Sequence, residues 1–141
     1  MRFLLLPLGI VYGIIITLRN FFYDMGIFKI IPISTPVISV GNITAGGTGK
    51  TPMTITLAEV GKLRGFKPGI VSRGYGRNSK GLQIVHDGNE MKNTVKNSGD
   101  EPFLMASLLK DIPIVVSGNR VDGADRLIQD YGVNLIILDD A

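Results

Sequence analysis

The chain has 141 residues, no cysteine and a net charge of +3. That length suits one domain with a real core, and the lack of cysteine excludes disulfide frameworks and thiolate metal sites. The mild charge is spread without a Lys/Arg-rich run, so nothing in it points to nucleic acid.

From Phe3 to Leu18 no charged residue occurs, and Arg2 and Arg19 flank the run. As a helix it would reach about 24 Å, short of a hydrocarbon core of roughly 30 Å. Pro7, Gly9 and Gly13 weaken it further as a simple span. A cleaved leader is disfavoured because "TLRNFFYDMG" follows, with charge and bulky aromatics instead of small residues. Residues 1–30 therefore read as a membrane-associated helix and juxtamembrane segment, with Arg19, Phe21, Phe22, Tyr23 and Lys29 at headgroup level. An apolar helix packed on its own domain is the other reading.

Residues 31–141 alternate strand and helix. "STPVISV" (34–40) reads as a buried strand, and 41–49 as a loop. A helix is predicted over 50–64 from the spacing of Met53, Ile55, Leu57, Ala58, Val60 and Leu63. Pro52 fits its first turn and Gly65 its end. "PGIVS" (68–72) is a second strand, followed by the glycine loop "RGYGR". "LQIVHDGNEMKNTV" reads as a hairpin turning at Asp87-Gly88, which leaves His86, the single histidine, exposed. A helix follows from Asp100 to about Leu109, then a strand over 112–116. Asn119 to Tyr131 forms a helix closed by Gly132, and "NLIILDD" is a fourth strand. The order predicts a mostly parallel α/β sheet flanked by helices, with its chemistry at the strands' C-terminal ends.

"ITAGGTGKTP" (43–52) sits between the first strand and the first helix of this sheet. Backbone N–H groups of such a glycine turn can cradle phosphate oxygens, and the helix N-terminus adds partial positive charge. Thr44, Ala45, Gly46, Gly47, Thr48, Gly49, Lys50 and Thr51 match the length of the P-loop pattern, with Thr44 where the pattern has glycine. Lys50 would reach the β/γ-phosphates of ATP, and the Thr51 hydroxyl would hold Mg²⁺. A plain flexible turn is the bland alternative. "LIILDD" then resembles a Walker B strand that delivers Asp139 and Asp140 to the Mg²⁺ shell.

Five positions, in three segments, admit two readings. Asp100, in "SGDEPFL", either opens a helix or acts on an acceptor's hydroxyl proton. Arg73, Tyr75 and Arg77 either line a phosphate site or sit in a solvated loop. Arg120, opening the helix after a strand, has the same ambiguity.

Together "VGNITAGGTGKTP", "GFKPGIVSRGYGR", "GDEPFLMA", "PIVVSGNRV" and "LIILDD", in that order behind an apolar N-terminal helix, resemble the tetraacyldisaccharide 4'-kinases, the lipid A 4'-kinases. The resemblance implies a P-loop kinase on the cytoplasmic face of a Gram-negative inner membrane. Such a kinase transfers the ATP γ-phosphoryl to the 4'-hydroxyl of an acylated glucosamine disaccharide 1-phosphate. It places Lys50 and Thr51 on the phosphate and Mg²⁺ positions, Asp139 and Asp140 on the Walker B pair, and Asp100 on the catalytic aspartate. Arg73, Tyr75 and Arg120 fall on positions lining the active site. It also accepts Thr or Ser at Thr44.

The family's pattern continues past the Walker B acids into a half that carries a histidine, and His86 does not match it. The expectation is thus the N-terminal part of such a kinase, with an incomplete sheet, "NLIIL" at risk as an exposed apolar edge, and no kinase activity alone. Two rivals remain. One is a membrane-associated regulatory P-loop ATPase, whose K-G-G-x-G-K-[ST] loop requires lysine where this chain has Ala45. The other is a non-catalytic nucleotide-binding fragment.

Overall fold

The computed structural model describes residues 6–42 and 49–139. The chain divides into two compact units, Met1–Pro32 and Ile33–Ala141.

In the first unit, helix α1 spans Leu6–Asp24. Gly26, at φ 71°, ends it, with its N–H bonded to the Tyr23 carbonyl at 3.0 Å. The rings of Phe22 and Tyr23 close on Phe28, at 5.7 and 5.1 Å between centroids, and the Arg19 guanidinium lies 5.3 Å from the Tyr23 ring. Ile10, Val11, Ile14, Ile15, Leu18 and Phe21 are exposed. Among the described residues no helix is long and apolar enough to cross a membrane.

The second unit runs β1 (Val37–Val40), α2 (Lys50–Leu63), β2 (Pro68–Ser72), β3 (Gln83–His86), α3 (Val95–Ser98), α4 (Asp100–Leu108), β4 (Ile114–Val116), α5 (Arg120–Tyr131) and β5 (Leu135–Asp139). The sheet order is β1-β5-β2-β4-β3, and the pairs are parallel except β3 with β4. Successive strand residues face opposite sides. Ile70, Ile114, Val116 and Ile137 pack on one face with Ala58, Met105 and Ala106 from α2 and α4. Val71, Val115 and Ile136 pack on the other with Ala124 and Leu127 of α5. Both faces are covered, which is why these strands read as unbroken apolar runs.

The strand expected to be an exposed edge is an interior one. Ile137 of β5 pairs with Ile38 of β1 on one side and Ile70 of β2 on the other. The reason is the crossover: the chain leaves β4 through α5 and returns past β2 to the far side of it. The apolar edge among the described residues is β1, where Val37 and Ile38 are exposed. Its strand starts at Val37, not Ser34.

Two local expectations are also corrected. The hairpin shrinks to a single bridge between His86 and Met91, because the chain turns at Thr94 into the short helix α3, and β3 pairs with β4 instead. The turn itself forms: the Asp87 carboxylate accepts the N–H groups of Asn89 and Glu90, both at 2.8 Å. Those bonds, led by Glu90's, hold the Asp87 carboxyl at about 2. His86 is buried, not exposed. It closes β3 beside the core strand β4, and its Nδ1 accepts the Gly88 N–H at 3.0 Å. Burial pushes its pKa down, against the opposing pull of Asp87.

Candidate functional site

The parallel strands β1, β2, β4 and β5 end at one sheet edge, where the segments after them gather. Residues 43–48, and with them Thr44, Ala45, Gly46, Gly47 and Thr48, lie outside the described residues, as does Asp140. Gly49, at φ 77°, is the N-cap of α2, and its carbonyl accepts the Met53 N–H at 3.1 Å. Lys50 and Thr51, both half-buried, form the first turn with Pro52. The early N–H groups of a helix have no partner within it, so this turn presents donors and positive potential at the sheet edge.

Lys50, Tyr75, Asp100, Glu101 and Pro102 line a cavity of about 250 Å³. Three sequence-predicted residues from three separate segments thus share one space. Asp100 is the first residue of α4, but the N-cap is Gly99 and no side chain caps the helix. The Asp100 carboxylate is therefore not engaged as the cap.

A close backbone approach brings Tyr75 and Asp100 together. Gly99 has φ 92°, and a Cβ there would lie 2.9 Å from the Tyr75 carbonyl oxygen. Gly74, at φ 66°, would place a Cβ 2.8 Å from the Ser98 carbonyl oxygen. Only glycine permits both the left-handed backbone and the contact.

The arginines divide. Arg73 is exposed just after β2 and does not line the cavity. Arg77 turns inward as a strut, its Nη1 donating to the Val116 carbonyl at 3.3 Å and to Ser79 Oγ at 3.4 Å, and burial lowers its pKa. Arg120, half-buried at the start of α5, donates to the Ser117 carbonyl at 2.8 Å. Asn119 caps that helix by accepting the Val121 N–H at 3.1 Å.

Asp139 ends β5 at 1% exposure. Its Oδ1 accepts from the Thr54 hydroxyl and its Oδ2 from the Ser72 hydroxyl, each at 3.0 Å. Neither donor stands out in the sequence. The available signals were that Thr54 lies one helical turn past Lys50, and that Ser72 puts a hydroxyl at the end of an otherwise apolar strand. Among the described residues no three His, Asp or Glu side chains cluster as a metal site.

Larger cavities exist elsewhere. One of about 510 Å³, lined by Lys62, Lys67, Asp87, Asp111 and Tyr131 among others, lies at the N-terminal ends of the strands. Volume alone does not mark the site. The smaller cavity has the helix N-terminus, the lysine and the carboxylate in one place.

Residues 1–141 match the family model described as tetraacyldisaccharide-1-P 4'-kinase. The chain is 43% identical to the tetraacyldisaccharide 4'-kinase of Chlorobaculum parvum, over 99% of this chain and 39% of that protein. It is 39% identical to that of Shewanella sp. (strain MR-4), over 99% of this chain and 40% of that one. The crystal structure of LpxK from Aquifex aeolicus in complex with ATP superposes with a TM-score of 0.81 at 42% identity, over 99% of this chain and 44% of that one. The chain thus spans about two fifths of the length of the curated relatives it matches.

The close approach of the two loops is directly testable. Gly99→Ala should lower stability by about 1–3 kcal/mol through strain and the clash with Tyr75, read from urea unfolding. Gly118→Ala, where a Cβ would meet nothing within 4 Å, is the control expected to leave the midpoint unchanged. A wild-type midpoint for Gly99→Ala would show that the two segments are not in contact.

Proposed function

The chain belongs to the tetraacyldisaccharide-1-P 4'-kinase family, and from that premise we propose that the protein transfers the γ-phosphoryl of ATP to the 4'-hydroxyl of an acylated glucosamine disaccharide 1-phosphate. The observation that carries the reading is the cavity shared by Lys50, Tyr75 and Asp100 at the start of α2 and α4. The Gly-rich loop from Thr44 to Gly49 would cradle the phosphates, and Lys50 would follow the γ-phosphoryl's charge into the transition state. Asp100 would accept the 4'-hydroxyl proton as that oxygen bonds to phosphorus and the bond to the β-phosphate oxygen breaks, releasing ADP. Tyr75 would orient the phosphorylated acceptor, with Arg73 and Arg120 as further candidates to bind its phosphate.

The oxygen donors fit Mg²⁺. This ion is commonly held by one or two carboxylates plus substrate phosphates, not by an all-protein cage. That accounts for a site without a cluster of three acids among the described residues. Thr51, Asp139 and Asp140 would hold it. When bound it neutralises charge on the β- and γ-phosphate oxygens.

Residues 1–30 would seat the protein on the cytoplasmic face of the inner membrane of a Gram-negative-type bacterium, where both ATP and an acylated acceptor can be reached. The exposed Ile10, Val11, Ile14, Ile15, Leu18 and Phe21 would enter the interface, with Arg19 toward anionic headgroups. Residues 31–141 would form the nucleotide-binding part.

Asp100→Asn in the full-length protein should lower kcat by about 10²–10⁴-fold with little change in the KM for ATP. Radiolabelled ATP and acylated disaccharide 1-phosphate supply the assay. Unchanged turnover with reduced thermal stability would assign Asp100 to the helix start alone.

Deleting residues 1–18 should release the protein from sedimenting membranes while leaving ATP binding in place. Undiminished sedimentation would place the anchor elsewhere.

A further inference from the structure

A carboxylate that is 1% exposed at the end of an interior strand is costly unless its oxygens are hydrogen-bonded. Asp139 meets that need with two hydroxyls, both buried: Thr54 at 0% and Ser72 at 3% exposure. They come from different elements. Thr54 sits on α2, one turn past Lys50, and Ser72 is the last residue of β2, beside Val71, which pairs with Leu138 of β5.

One donor to one oxygen would leave the carboxylate free to pivot about its Cβ–Cγ bond. Two donors, one on each oxygen at 3.0 Å, fix the plane. A hydroxyl has one proton to give, so each is committed to Asp139, and each carboxylate oxygen keeps lone-pair capacity for a further partner. The same bonds fix α2, with Lys50 and Thr51 on its first turn, against β5.

We infer that Thr54 and Ser72 are positioning residues for the divalent metal–nucleotide complex: they set the orientation in which Asp139 meets the metal shell and the register of the phosphate-binding helix against it. The inference rests on the assignment of Asp139 to that shell. A purely structural role would satisfy the buried charge and support folding without affecting metal affinity.

The test uses the full-length protein with Mn²⁺ as the paramagnetic probe. Mn²⁺ affinity is measured by electron paramagnetic resonance at saturating nonhydrolysable ATP analogue, alongside metal-free nucleotide affinity and urea unfolding. Thr54→Val and Ser72→Ala should each weaken Mn²⁺ binding by about tenfold or more, with metal-free nucleotide affinity little changed. Thr54→Ser, which keeps the donor, should bind Mn²⁺ close to wild type. If Thr54→Val does not fold, Ser72→Ala with Thr54→Ser decides the matter.

Wild-type Mn²⁺ affinity in the folded variants, with Asp139→Asn weakened, would overturn the positioning role and leave Asp139 in the shell. Wild-type affinity in Asp139→Asn as well would overturn both. A lower unfolding midpoint without a change in Mn²⁺ affinity would leave the hydroxyls only a structural part and would also overturn the inference.

Discussion

The Asp139 carboxylate, closed in at the end of β5, accepts hydroxyl hydrogen bonds from Thr54 on α2 and Ser72 on β2. These elements are distant in the chain and must meet for the site to exist. Burying a charge without such donors would cost several kcal/mol, so the contact constrains the elements that supply it. It requires β5 to lie beside β2, and it requires α2 to start above β5 with its first turn at the sheet edge. β1 pairs with the other side of β5, which makes β5 an interior strand. An edge strand would have left Asp139 open to solvent and the first turn of α2 without a fixed carboxylate beneath it.

The rest of the site is arranged around that anchor by backbone geometry more than by side chains. Gly74 and Gly99 let the loop after β2 and the start of α4 touch, so Tyr75 and Asp100 line the same small cavity as Lys50. Arg77 braces that loop from below, on the Val116 carbonyl at the end of β4. A helix N-terminus, a lysine and a carboxylate converge there. That convergence, not the larger hollows at the other end of the sheet, is what the proposed phosphoryl transfer would use, since such catalysis is mostly positioning and charge stabilisation.

Much of this was legible in the sequence, for identifiable reasons. Gly49-Lys50-Thr51 stood out as consecutive residues before a helical pattern, and α2 does open on them; Asn119 and Gly132 mark the ends of α5 by local backbone rules. The strands announced themselves because both faces of the sheet are covered. What stayed hidden depends on tertiary neighbours. β5 was expected to risk exposure in an incomplete sheet, but strand order does not follow chain order, and β5 lies between β1 and β2. His86 read as a turn residue because nothing local shows that β4 lies against it. Thr54 and Ser72 read as ordinary small polar residues, since a buried hydroxyl is informative only once its acceptor is known. Arg77 was indistinguishable from Arg73 by type and spacing, yet one is a strut and the other is exposed.

The most direct test of the central claim is a crystal structure of the full-length protein with Mg²⁺ and a nonhydrolysable ATP analogue. The expected result is a γ-phosphate between Lys50 and the Asp100 cavity, at the N-terminus of α2, with Asp139 on the metal side. A nucleotide bound instead at the N-terminal ends of the strands, against Lys62, Lys67 and Asp87, with the Lys50 cavity empty, would contradict it.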